Sequence, residues 1–330
     1  MTGRSGVPEL PEVETVRRRL ADVLPGLVVH DVVVNDPVVS VQTAAELRDA
    51  LLDRRVVALR RRGKYLIVEL EGALLVVHLR MTGRLLLAPE AGGRAPRFVV
   101  RLRPASELLF YDTRRFGRVW ALPADAEDEF FAALGPEPFG EQFTADYLRG
   151  ALAGRVAPLK SFLLDQRRIA GVGNIYADEA AFRARLNPLL VAGGLGRGEV
   201  ERLRDALLET LQLGIDQAGA SIDTFVDPEG ASGAFQEMLN VYGRTGQPCR
   251  ACGTLIRRVE LGGRGTHFCP CCQPLPRGRR LASGGREALE RARRLARRAR
   301  SASDPARAAR SAAAAEGRTA TRPARGETSA

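Results

Sequence analysis

The sequence predicts an α+β protein in which a β-sandwich or barrel precedes a helical domain and a small metal-binding module. Three observations carry that reading: short strand patterns fill residues 28–122, helical periodicity takes over after residue 140, and two Cys-x2-Cys pairs follow. At 330 residues the chain exceeds the usual size of a single core, so separate domains are expected. A hydrophobic fraction of 45% with 27% charged residues excludes a wholly disordered chain. No apolar run approaches the ~18 residues of a membrane helix. No basic segment joined to a signal-peptide apolar core stands at the start, which predicts a cytoplasmic protein whose five cysteines are reduced thiols.

The first helix is signalled at Pro11, Glu12 and Glu14, since proline suits the first helical turn and carboxylates suit the positive end of the dipole. Val13, Val16, Leu20, Val23 and Leu24 continue it at helical spacing. Strands are then expected at VVHDVVV, VVALRRR, YLIVEL, ALLVVHL, RLLLA, FVVRLR and ELLFYD, divided by Gly, Pro and Asn-Asp turns. Beyond Gly135-Pro136-Glu137-Pro138, helices are expected at residues 146–153, 174–185 and 198–218, with a domain boundary near 140. Residues 246–273 form a cysteine module. Residues 274–330 are mostly Ala, Arg, Gly, Ser and Pro, which predicts a solvated, disordered tail. Within it, residues 287–300 could become helical against an acidic partner.

The formal charge of +11 points to a polyanion, but the tail carries most of it, with fifteen Arg against five acidic residues. The remainder is close to neutral, so a specific polyanion site there must be a local patch. The tail supplies long-range, salt-sensitive attraction. Only Lys64 and Lys160 interrupt an otherwise all-arginine set of cations, which marks them as sites needing a compact ammonium or an amine able to lose its proton.

Cys249, Cys252, Cys269 and Cys272 have the spacing of a four-thiolate zinc site, two knuckles facing each other across a hairpin, with Cys271 left over. A closed set of four thiolates leaves no position for water, so one structural Zn2+ is expected. The hairpin tip, GGRGT, presents Arg264 between glycines, where a guanidinium can lie beside a phosphate.

Pro8-Glu9-Leu10-Pro11-Glu12-Val13-Glu14, GVGNIYADE at 171–179 and VYGRTGQPCRACG at 241–253 together resemble the formamidopyrimidine-DNA glycosylase and endonuclease VIII family. The resemblance spans residues 8–273. It implies a catalytic two-layer β-sandwich at 8–140, a helix-two-turns-helix DNA-binding domain at 141–245 and a zinc-finger β-hairpin at 246–273. It also implies a monomeric bacterial, nucleoid-associated enzyme that binds damaged double-stranded DNA and excises oxidised purines such as 8-oxoguanine and formamidopyrimidines, as glycosylase and abasic-site lyase.

In such enzymes an N-terminal proline attacks C1′ of a flipped nucleotide, the role that falls on Pro8. A terminal amine near pKa ~8 is neutral far more often than a lysine near ~10.4, and a secondary amine yields an iminium that needs no protonation to draw electrons from the sugar. Glu9 matches the family's proton donor to the sugar ring, and Lys64 in RRRGKYL its active-site lysine. Arg155 and Lys160 match DNA-contacting cations, Asn174 a phosphate-binding asparagine at a helix N-terminus, and His78 a phosphate contact. Met81, Arg114 and Phe116 match the set that fills the hole left by flipping, and this trio points to the purine-lesion branch. Endonuclease VIII has a Gln, Leu and Tyr set instead.

Two departures from the pattern stand out. Where the family often carries a His-rich run, this chain reads Arg94-Ala95-Pro96-Arg97, with Arg97 as the candidate substitute contact. Residues 1–7 place an amide on the nitrogen of Pro8. A retained segment favours a non-catalytic DNA-binding protein, so the expectation is that translation starts at Val7 from a GTG codon, or that residues 1–7 are trimmed, exposing Pro8.

Overall fold

Strand alternation between residues 28 and 123 builds two four-stranded antiparallel sheets in the computed structural model, which describes residues 7–90, 93–222 and 225–302, with side chains to 295. The expected 1–7 extension, apart from Val7, and the tail beyond 302 lie outside the described residues. After helix α1 (Leu10–Ala21) come β1 (Val28–Val34), α2 (Ala44–Leu51), β2 (Val56–Arg62), β3 (Tyr65–Leu70), β4 (Ala73–His78), β5 (Gly83–Leu86), β6 (Phe98–Arg103), β7 (Ser106–Asp112) and β8 (Arg118–Pro123). One sheet has the order β1-β6-β7-β5 and the other β2-β3-β4-β8. Their inner faces share Val32, Leu66, Val68, Leu75, Val77, Val100, Leu108 and Phe110 with Val16 and Leu20 of α1 and Leu47 and Leu51 of α2. The N-terminal half is therefore a two-layer sandwich.

Two elements escaped the strand reading. Helix α2 has only Leu47 and Leu51 as a buried stripe, and it is set by a local capping box in which Thr43 accepts from Glu46 N–H and the Glu46 carboxylate accepts from Thr43 N–H. Strand β8 completes its sheet by pairing Val119 with Val77, a non-local gain that its short pattern does not announce. The short helix α3 (Glu127–Phe131) then brings Phe131 against Ile67, Leu74 and Val76 on the outer face of that sheet.

The helical half holds α4 (Ala145–Leu152), α5 (Leu159–Leu163), α6 (Asn174–Arg183) and the twenty-residue α7 (Arg197–Asp216). Val200, Leu203, Leu207 and Leu211 form the buried stripe of α7. Gly214 lets α6 approach, because a Cβ there would lie 2.4 Å from the Tyr176 ring. Leu10, at the start of α1, belongs to this second core while the rest of α1 belongs to the first. Helix α1 thus joins the two halves. Strands β9 (Arg257–Leu261) and β10 (Arg264–Phe268) form the finger hairpin.

The expectation of a disordered tail fails for residues 283–302, which form α8 (Ser283–Ala302). Its residues Gly285, Ala288, Leu289 and Ala292 fall at helical spacing and turn inward, with Ala288 buried among Leu189, Val259, Leu261 and Phe268. Arg279 pairs with Glu199 at 2.6 Å and the Ala282 N–H donates to the Leu189 carbonyl at 3.1 Å, tying the approach down. Composition judged that this segment has no core of its own, and it needs none, because it borrows the back of the finger. A chain ending at residue 276 should therefore melt several degrees below one ending at 302 by scanning calorimetry, since each large side chain uncovered is worth ~1.5–3 kcal/mol when fully buried. Equal melting temperatures would show that the docking contributes nothing.

Candidate active site

Glu9 precedes α1, yet its carboxylate reaches across to α6, where Oε1 accepts from Ile175 N–H at 2.9 Å and Oε2 from Tyr176 N–H at 3.4 Å. The positive end of the α6 dipole is thereby filled by a protein carboxylate. Two glycines make room. A Cβ on Gly173 would lie 2.3 Å from Glu9 Cδ, and Gly171, at φ +85°, would meet Leu10 at 2.7 Å. Gln166 braces the same turn, accepting from Gly171 N–H and donating to the Val172 carbonyl. Glu9 is 1% exposed, and burial raises its pKa to about 7 against the opposing pull of Lys64. It is an acid poised to hold or release a proton near neutrality.

Glu12, one turn further along α1, is equally buried and also raised by desolvation. Its carboxylate accepts from Glu9 N–H, Tyr176 hydroxyl and Ala220 N–H, so it fixes the backbone beside Pro8. Lys64 sits in the β2–β3 turn. Desolvation by the surrounding walls holds its ammonium below the ordinary lysine range, opposed by Glu9 and Glu12 and reinforced by Arg264 and Arg80. Glu137 anchors that turn, accepting from Gly63 N–H at 2.5 Å and from Arg61 at 2.7 Å.

Glu9 and Lys64 face an open cleft of about 1180 Å3, lined also by Val7, His78, Met81, Phe116, Asn174 and Arg264 among others. That exceeds the ~300–1,000 Å3 of small-molecule pockets, enough for a nucleotide with its flanking backbone. Pro8 itself is buried between two lining residues. His78 is pushed down to about 3, chiefly by burial, and is neutral. Its Nδ1 accepts from Arg80 N–H, which leaves Nε2 carrying the hydrogen as a donor. The 112–117 loop is organised by Asp112, which is hydrogen-bonded to Thr82 and accepts from Arg114 and Gly117 N–H. It presents an exposed Phe116 with the Arg114 guanidinium 5.0 Å from its ring centre.

Several expected contacts land elsewhere. Lys160 is 1% exposed, with its ammonium committed to Asp178 at 2.7 Å and the Gly265 carbonyl at 2.7 Å, so it does not line the cleft. Arg155 lies outside the cleft lining, its Nε donating to the Ala151 carbonyl. Arg97 is taken up, half-buried, by Asp36 and the Asp112 carbonyl. Because Glu9 occupies the amides of α6, a phosphate contact at this helix start falls on the Asn174 side chain, which donates to the Tyr242 hydroxyl at 3.3 Å. The cleft-lining cations Arg80, Arg118 and Arg258 went unnoticed, since single arginines among so many carry no pattern.

At the finger, the Sγ atoms of Cys249, Cys252, Cys269 and Cys272 lie within 4.8 Å of one another. The Cys249–Cys272 and Cys252–Cys269 separations are 3.8 and 3.5 Å, close to the ~3.8 Å edge of a tetrahedron with Zn–S bonds of ~2.3 Å. This donor set fits one structural zinc ion. Cys271 is exposed and outside the group.

The formamidopyrimidine-DNA glycosylase N-terminal domain model matches residues 7–119, the corresponding H2TH domain model residues 134–226, and a zinc finger found in FPG and IleRS residues 246–275. The formamidopyrimidine-DNA glycosylase of Pelotomaculum thermopropionicum is 44% identical over 81% of this chain and 99% of its own length. That of Heliobacterium modesticaldum is 47% identical over 81% and 100%. Among solved structures, the MutM (Fpg) protein of Thermus thermophilus superposes with a TM-score of 0.74 at 44% identity, covering 81% of this chain and 98% of that one. Lactococcus lactis Fpg bound to abasic-site DNA gives 0.76 at 35% identity, covering 81% and 99%.

Metal analysis should find one zinc per chain, retained by a Cys271→Ser protein and lost by Cys272→Ser. The reverse pattern would mean that Cys271 is the fourth ligand.

Proposed function

Because the chain belongs to the formamidopyrimidine-DNA glycosylase family, we propose the following division of labour within its cleft. The enzyme is a DNA glycosylase with abasic-site lyase activity, excising oxidised purines from damaged double-stranded DNA in base excision repair. The observation that supports the residue roles best is the buried, neutral-range acid Glu9 beside Pro8, facing Lys64 and Arg264 in one cleft. Among the described residues no helix is long and apolar enough to cross a membrane. We place the enzyme at the bacterial nucleoid in the cytoplasm, acting as a monomer.

Pro8, with a free nitrogen, attacks C1′ of the flipped nucleotide. The C1′–O4′ bond opens as O4′ receives the proton held by Glu9; the glycosidic bond then breaks, the departing base takes the amine proton, and an iminium joins Pro8 to the sugar. That cation makes the C2′ hydrogen acidic, and its loss expels the 3′ phosphate. Lys64 and Arg264, placed near the phosphates on either side, stabilise the charge that develops, and Asn174 and His78 donate to backbone phosphates. Met81, Phe116 and Arg114 occupy the space that the flipped nucleotide vacates. Zinc, when bound by the four cysteines, supplies shape and no chemistry, holding the hairpin that carries Arg264.

The family domains end near residue 275, and α8 with the remaining tail is additional. We assign the domains as 8–140, 141–245 and 246–273, followed by this basic extension.

The acid role of Glu9 fixes a pH dependence. Its carboxyl is protonated below about 7 and loses the proton above, so single-turnover excision should fall as pH rises through that region. Glu9→Gln should slow excision by ~10²-fold or more and abolish that limb. An unchanged limb in the variant would move the titration to another group.

The nucleophile requires a population of the native protein that begins at Pro8. Intact mass and N-terminal sequencing, joined to borohydride trapping on an oligonucleotide bearing one 8-oxoguanine, should find the trapped adduct on Pro8. An adduct formed by chains that begin at Thr2 would transfer the role to Lys64.

A further inference from the structure

The position of the hairpin that carries Arg264 has to be fixed relative to the acid to a fraction of an ångström, yet it comes from a separate module, with Arg264 about eighty residues beyond the end of α6. The contact that places it is buried. Asp178, on α6, is 0% exposed. Its Oδ1 lies 2.7 Å from Lys160 Nζ, and its Oδ2 accepts from His267 N–H at 2.8 Å and faces His267 Nδ1 at 3.1 Å. Lys160 in turn donates to the Gly265 carbonyl at 2.7 Å. One carboxylate therefore holds β10 at two points, residues 265 and 267, immediately after Arg264.

We propose that Asp178 is the positioning residue for Arg264, indexing the finger hairpin to the same helix that receives Glu9. Ile175, which binds the Glu9 carboxylate, and Asp178 stand three residues apart on α6, a rise of ~4.5 Å. Acid and guanidinium are thus referred to one rigid turn of helix. The second lysine of the chain finds its use here as the buried partner that carries this contact to the Gly265 carbonyl. Two contacts along one strand fix both its translation and its tilt. A buried ion pair adds little net stability over an apolar replacement, so what distinguishes this one is geometry.

The inference rests on the reading of Arg264 as a contact in the reaction, and the experiment separates the two. Single-turnover excision of 8-oxoguanine is measured for Asp178→Asn, Arg264→Ala and the double variant, with zinc content as a check on the finger. Asp178→Asn should be slowed by ~10–100-fold with one zinc retained, since a misplacement of ~1 Å can cost ~10²-fold. The double variant should be no slower than Arg264→Ala, because the second change removes what the first positions. A double variant whose loss is the product of the two single losses, or a wild-type rate in Asp178→Asn, would overturn the inference and leave Arg264 intact. A wild-type rate in Arg264→Ala overturns the reading of Arg264 itself, and the inference with it. Should the lone buried charge in Asp178→Asn prevent folding, the neutral pair Lys160→Met with Asp178→Leu fills the same space. It should melt close to the wild type and be as slow, and a wild-type rate in it would equally overturn the proposal.

Discussion

A carboxylate from the ninth residue fills the N-terminus of a helix 166 positions later, and the catalytic arrangement hangs on that contact. It brings the start of the chain into the helical half, so the cleft forms where the two halves meet. Burial at that junction lifts the acid into the neutral range, against the amide hydrogen bonds of Ile175 and Tyr176, which pull it down. The contact also explains the glycines of GVGN, which are demanded by the approach of Glu9 and Leu10 as much as by the turn itself. A dipole that elsewhere could receive a phosphate is here spent on holding the Glu9 carboxylate.

The same device recurs within two short motifs. Glu12 gathers Glu9 N–H, Tyr176 hydroxyl and Ala220 N–H, and Glu179 accepts from the N–H groups of Asn240, Val241 and Tyr242. Each buried acid fastens a segment distant in sequence by hydrogen bonds to backbone amides, which compensate part of the desolvation that burial imposes. Motifs that resemble catalytic signatures are thus largely assembly instructions, with Glu9 the member that also faces the cleft. The cations follow the opposite rule. Many arginines pair with carboxylates, as Arg60 does with Glu127 and Arg101 with Asp31, whereas Arg80, Arg118, Arg258 and Arg264 gather at the cleft and give a nearly neutral body a local cationic lining.

The zinc hairpin is held on both faces. His267 turns toward α6, while Val259, Leu261 and Phe268 meet α8 on the other side. The relatives are matched over nearly their whole length by 81% of this chain, so α8 is an addition to the common architecture. It encloses apolar surface that a chain ending at the finger would leave to solvent.

The sequence by itself determined seven of the eight strands of the sandwich, the three longer helices of the second half, the four-cysteine set and, through three motifs, the family and its activity. These are legible because they are local: a period, a knuckle spacing, a run of seven residues. It could not say that Lys160 is buried beneath Gly265, that Arg97 belongs to Asp36, that Glu12 stands inside, or that an arginine-rich tail contains a docked helix. Strand β8 was hidden for the same cause, its stability coming from pairing with a strand forty residues away, whereas helix α2 carried a local capping box that the strand reading passed over. Whether a charged side chain meets solvent, a phosphate or a buried carboxylate depends on which distant surface folding brings to it. No spacing along the chain encodes that distance, and only the tertiary structure decided it.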